Sequence, residues 1–84
     1  MLQSSNMQTA SKLGAAIACR RILAEMTIAE LSKKVGVPTP IMTLIERGQD
    51  RPGLLLLQEI ASCLDTSSIE LIKLGIELGT KTNQ

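Results

Sequence analysis

Residues 27–48 read TIAELSKKVGVPTPIMTLIERG, and this stretch decides the fold. Thr27 followed three residues later by Glu30 is a capping box: the hydroxyl accepts from one backbone N–H while the carboxylate reaches back to another. Leu31 and Val35, four apart, give the helix that follows one apolar face. Gly36 stands where that helix should end, in the left-handed conformation that Gly adopts at low cost. A second helix is announced at once. Thr39 reads as its N-cap and Pro40 as its first residue, where a missing N–H costs nothing. The clash between Pro40 and the residue before it predicts that Thr39 stays outside the helix. Met42 and Ile45 can face inward, and Gly48 ends the element. So few connecting residues force the two helices to cross steeply.

Outward from this pair, residues 1–9 are polar and carry no cation; they read as a flexible N-terminal arm. Thr9 or Ser11 can cap a first helix running to about Glu25, with Leu13, Ala16, Ile17 and Ala24 on its inner face. Arg20 and Arg21 fall near its end, where cations suit the helix dipole. Spacing alone leaves two readings of them open: two solvated charges, or an Arg21–Glu46 pair with Arg20 on a phosphate. After Gly48, residues 49–53 form a loop rich in turn residues. Gly53 caps a fourth helix whose inner stripe is Leu54, Leu57, Ile60, Ala61 and Leu64. Leu55 and Leu56 are left on another face, because four consecutive Leu cannot all enter one small core. Ser67 and Glu70 form a second capping box and open a fifth helix over about 68–79. It carries two apolar rows, Leu71, Leu74 and Leu78, and Ile69, Ile72 and Ile76. One row serves the core and the other needs a second chain. The main domain is then 10–79, with a frayed tail over 80–84.

Eighty-four residues make one domain. A chain of this length buries only about 60–65% of its unfolded surface, so it gains from a partner. Aromatic residues and His are absent, and the net charge is +1, which argues against strong non-specific affinity for polyanions. Cys19 and Cys63 read as small buried hydrophobes in a reducing cytoplasm, since no metal-ligand spacing exists. No activated nucleophile, paired carboxylate or ligand set is visible. No catalytic residue, metal or cofactor is expected, and an enzyme is the weakest class. No apolar run spans a bilayer and no secretory signal is visible, so the expected address is cytoplasmic, with no membrane partner.

Taken together, Ile17, Arg21, Thr27, Glu30, Leu31, Gly36, Val37, Met42, Ile45, Glu46, Gly48, Pro52, Ile60, Ala61, Leu64 and Leu71 resemble the running pattern of the lambda-repressor-like family, the Cro and Xre regulators. The likeness spans about Leu13–Leu71, and Ile45-Glu46-Arg47-Gly48 with Pro52 is its most specific piece. The resemblance implies an all-α, compact five-helix domain in which helices 2 and 3 form a helix-turn-helix. It implies a homodimeric DNA-binding transcriptional repressor that lays helix 3 in the major groove of double-stranded DNA. Thr39, Pro40, Thr43 and Leu44 would meet base edges, and Thr27, Ile28, Arg47 and Arg51 would meet phosphates. It also implies that Arg21 pairs with Glu46 as a structural salt bridge. Leu55, Leu56, Ile69, Ile72 and Ile76 are the residues expected at the dimer interface.

One departure stands out. The family commonly places amide or charged side chains where this chain has Pro40, Ile41 and Leu44, which make no side-chain hydrogen bond. Readout should then be weak, or rest on thymine methyls and DNA shape. The same apolar row supports a second class of function, a protein-interaction module (antirepressor-like, or an antitoxin partner) whose helix 3 binds another protein.

Overall fold

A computed structural model describes residues 2–81, with side chains from 12 to 79. Five helices follow in order: α1 Leu2–Leu23, α2 Ile28–Val35, α3 Thr39–Glu46, α4 Leu54–Cys63 and α5 Ser68–Lys81. Among the described residues there is no strand. This is the all-α, five-helix arrangement expected, with the helix-turn-helix at α2 and α3.

The local chemistry of α2 is as the sequence requires. Thr27 N–H donates to Glu30 Oε1 at 2.8 Å, and Glu30 N–H donates to Thr27 Oγ1 at 3.0 Å. Gly36 takes φ +92°, and its N–H closes on Ser32 O at 2.7 Å. Val37 N–H joins the same carbonyl at 3.1 Å, which turns the chain into α3.

The start of α3 differs from expectation. Pro38, not Thr39, is the N-cap: it is extended, and its carbonyl accepts from Ile41 N–H and Met42 N–H at 3.0 and 3.2 Å. Thr39 is therefore the first helical residue and Pro40 the second. At the first two helical positions a backbone N–H would have no intrahelical acceptor, so the ring of Pro40 still costs nothing there. Pro still stands in the first turn, as expected, with the helix beginning one residue earlier than the capping pattern predicts.

The start of α1 also differs. The arm expected over 1–9 is helical backbone from Leu2, because no Gly or Pro before Gly14 interrupts a helix running back from the core. Met1 lies outside the described residues, as do residues 82–84 of the expected tail, while Thr80 and Lys81 belong to α5.

Every helix contributes to one core: Ala16 and Ile17 from α1, Leu31 from α2, Met42 and Ile45 from α3, Leu57, Ile60 and Ala61 from α4 with Leu64 just beyond, and Leu71 from α5. The expected inner stripes need three corrections. Ala24 lies past the end of α1 and is exposed. Leu54 sits at the very start of α4, off the centre of its buried arc, and is 66% exposed. Leu56 instead turns partly inward and packs against the core.

Close helix approach depends on glycine at two positions. A Cβ on Gly14 would lie 2.3 Å from Ile45 O and 2.5 Å from Glu46 O, so α1 crosses directly over the end of α3. On Gly75 it would lie 3.2 Å from the backbone of Leu13, where α5 rests on α1. Of the two cysteines, Cys63 is half-buried against the core as expected, whereas Cys19 is exposed and both are free thiols.

Candidate nucleic-acid interface

The geometry of α3 follows from which residues it buries. Met42 and Ile45 face the core. At 100° per residue, the opposite arc holds Pro40, Thr43, Leu44 and Arg47, spaced i, i+3, i+4 and i+7. Pro40, Leu44 and Arg47 are exposed and Thr43 is half-buried. Ile41, expected on the outer face, lies to the side and packs partly against the core. Thr39 is exposed at the first turn. The hydroxyl of Thr43 is engaged by its own helix: Oγ1 donates to Thr39 O at 3.1 Å.

What holds α3 in place is the contact with α1. Arg21 Nε donates to Glu46 Oε2 at 2.7 Å and Nη2 donates to Glu46 Oε1 at 3.1 Å, a two-point fork. Arg21 Nη1 donates to the Met26 carbonyl at 2.7 Å. The two side chains are 13% and 7% exposed. One guanidinium thus ties together the end of α1, the entry to α2 and the end of α3. Gly14 lets the backbones approach closely enough for this fork to close.

The cations expected on phosphates fall in different places. Arg47 follows α3 immediately and is exposed beside the outer stripe. Two further cations, Lys33 and Lys34, are exposed in the last turn of α2. Thr27 is exposed, but its hydroxyl is committed to the capping box. Ile28 packs its side chain against the core, which leaves the backbone N–H groups at the start of α2 as the polar chemistry there. Arg51 is exposed in the loop before α4 and lines a cleft with Pro52, Leu54, Ile72 and Ile76. Arg20 lies on a face of α1 about 100° from Arg21. It lines a cleft with Glu70, Lys73 and Glu77 of α5, so the structure does not bring it to the α2–α3 surface.

The residues expected between subunits divide as well. Ile69, Ile72 and Ile76 form an exposed row along α5. Ile72 and Ile76 share their cleft with Leu54, whose spacing predicts a place in the core. Leu55 is exposed on a separate groove with Gln58, Glu59 and Cys63. Leu56 is packed against the core, as described above. No group of three or more His, Cys, Asp or Glu side chains able to hold a metal occurs among the described residues. Nor is any of the described helices long and apolar enough to cross a membrane.

Two solved structures superimpose on this fold. Both are of the clp gene regulator ClgR from Corynebacterium glutamicum. One has a TM-score of 0.86 and 21% identity, covering 89% of this chain and 80% of that one. The other has a TM-score of 0.80 and 23% identity, covering 82% and 88%. A comparison with curated proteins finds no match. The helix-turn-helix family model matches residues 17–71, from the buried Ile17 of α1 to the buried Leu71 of α5. That span takes in both helices of the motif, the Arg21–Glu46 fork and nearly the whole core, and the chain belongs to the Cro/C1-type helix-turn-helix family of DNA-binding transcriptional regulators.

Proposed function

We infer that this chain is a sequence-specific regulator of transcription that binds double-stranded DNA as a homodimer, with the outer stripe of α3 in the major groove, and that it acts as a cytoplasmic repressor. The observation that carries this reading is the stripe itself. Pro40, Thr43, Leu44 and Arg47 occupy one outward arc of a helix whose inner face is locked by Met42, Ile45 and the Arg21–Glu46 fork. A groove-reading helix needs that rigidity, since base contacts tolerate little misplacement. Arg47 at the end of α3 and Lys33 and Lys34, exposed in the last turn of α2, are the proposed phosphate partners, joined by the free N–H groups at the start of α2. Support also comes from the structural likeness to a gene regulator.

The exposed row Ile69, Ile72 and Ile76, continued by Leu54, is the proposed subunit interface. An apolar face of this kind on so small a domain is expected to be covered. Two subunits would engage half-sites about 34 Å apart, one turn of duplex. The test is sedimentation and DNA titration of the wild-type chain and Ile72→Glu. The variant should sediment as a monomer and bind DNA more weakly; a wild-type monomer that binds a single half-site at full strength would contradict the dimer.

The second reading has its own observation. Pro40 and Leu44 on α3 are exposed and apolar, as is Leu55 on α4, and such residues suit a protein partner as well as a groove. The antirepressor-like or antitoxin-partner reading requires Leu44→Glu to abolish capture of that partner while Arg47→Ala leaves it intact. On the DNA reading, both variants weaken DNA binding.

A further inference from the structure

The outer arc of α3 offers almost nothing for hydrogen-bonded base readout. Pro40 and Leu44 present only C–H groups. Thr43 has its hydroxyl hydrogen committed to the Thr39 carbonyl at 3.1 Å, so what remains is a methyl group and oxygen lone pairs. Arg47 lies beyond the last helical residue, at the C-cap. Between Pro40 and Leu44 there is no amide, carboxylate or cation on that arc. In the major groove one feature of the four bases is itself apolar, the C5-methyl group of thymine. The donor and acceptor edges of the other bases would each be desolvated against C–H groups without compensation.

We propose that Pro40, Thr43 and Leu44 select DNA by the positions of thymine methyl groups. Specificity at these base pairs then comes from apolar burial and from the penalty for desolvating other edges, not from bidentate hydrogen bonds. The inference rests on the DNA-binding reading above and deepens it. It follows that removing a methyl while keeping every hydrogen-bonding group should suffice to weaken binding. Deoxyuridine in place of thymidine does this, since it keeps the O4 acceptor.

The experiment enriches duplexes about 20 base pairs long from a random pool with the full wild-type chain at low salt. The enriched duplex is then resynthesised with deoxyuridine at single thymine positions and at all of them. Each contacted methyl removed should weaken binding about fourfold, the worth of burying one such group. Two or three per half-site should multiply to a loss of about 16- to 64-fold for each half-site so changed. Leu44→Ala should shrink the ratio between thymine and uracil duplexes. Arg47→Ala should lower the affinity for both duplexes alike, and thermal melts establish that each variant is folded. Equal affinity for the thymine and uracil duplexes, or an unchanged ratio in a folded Leu44→Ala, overturns methyl readout while leaving DNA binding intact. Failure of the wild-type chain to enrich or retain any duplex overturns the DNA-binding reading, and methyl readout with it.

Discussion

Arg21 and Glu46, twenty-five residues apart, meet through two hydrogen bonds at 2.7 and 3.1 Å, and this fork fixes the recognition helix to α1. Both side chains are nearly removed from solvent. Removing one partner therefore leaves a buried charge uncompensated, which is worse than never having had the pair. Arg21→Ala should cost about 2–4 kcal/mol in urea unfolding, and Glu46→Ala somewhat less. The order follows because losing Arg21 also strips the Met26 carbonyl of its donor. Arg21→Ala with Glu46→Ala should cost less than the sum of the two single changes. Strict additivity would mean that the fork contributes nothing as a pair.

Glycine substitutions should rank by what their Cβ meets. Gly14→Ala drives a methyl onto two backbone carbonyls, and neither can yield without moving α3. A loss of about 2–3 kcal/mol or more is expected, well beyond the gain of about 1 kcal/mol in helix propensity. Gly75→Ala meets the Leu13 backbone at 3.2 Å and should cost less. At Gly79 the nearest atom is Cγ of the flexible Lys12 side chain at 3.4 Å, so Gly79→Ala should be neutral or slightly stabilising. Thermal unfolding of the three variants reads the order directly.

Ser32 is a defect that can be repaired. Its hydroxyl is buried under α2 and has no hydrogen-bond partner among the described residues. Ser32→Ala removes an unsatisfied polar atom and improves helix propensity, so the midpoint of unfolding should rise by the equivalent of about 1 kcal/mol. A drop of similar size would show that the hydroxyl is satisfied in solution.

Backbone handedness gives a matched pair of tests. Glu25 holds φ +59° at the end of α1, a conformation that costs a residue with a Cβ about 1 kcal/mol or more. Glu25→Gly should stabilise by about 0.5–1 kcal/mol after the entropy of the unfolded chain is allowed for. Gly36 holds φ +92° with open space around it, so Gly36→Ala should destabilise by about 1 kcal/mol through strain alone. Calorimetry of both variants should give opposite signs.

The parts of this fold that were legible in the sequence are those set by local chemistry. Thr27 and Glu30 bond each other three residues apart, and Gly36 reverses the chain on its own. The inner residues Leu31, Met42, Ile45, Ile60 and Leu71 follow from spacing within single helices. What spacing could not supply is where a helix ends against its neighbours. Leu54 stands at the start of α4, toward the margin of the arc of Leu57 and Ile60 and at the edge of the core, so it is exposed while Leu56 packs. Spacing alone does not separate the adjacent cations Arg20 and Arg21; the family resemblance singles out Arg21 as the partner of Glu46, and the crossing of α1 over α3 makes that fork and leaves Arg20 in a cleft on α5. Gly14 and Gly75 carry only a weak sequence signal, an isolated glycine inside a helical pattern, and the helix crossings that need them show only in the fold.

Whether the outer face of α3 lies on duplex DNA is read by fluorescence polarisation of a labelled duplex, drawn from the enriched pool, titrated with the wild-type chain between about 50 and 200 mM salt. Binding should be saturable at the low end, with an affinity that falls linearly on logarithmic axes. Arg47→Ala should flatten that slope by about 0.9, the share of one phosphate contact. Absence of binding at about 50 mM salt, or a slope unchanged by Arg47→Ala, would contradict that placement.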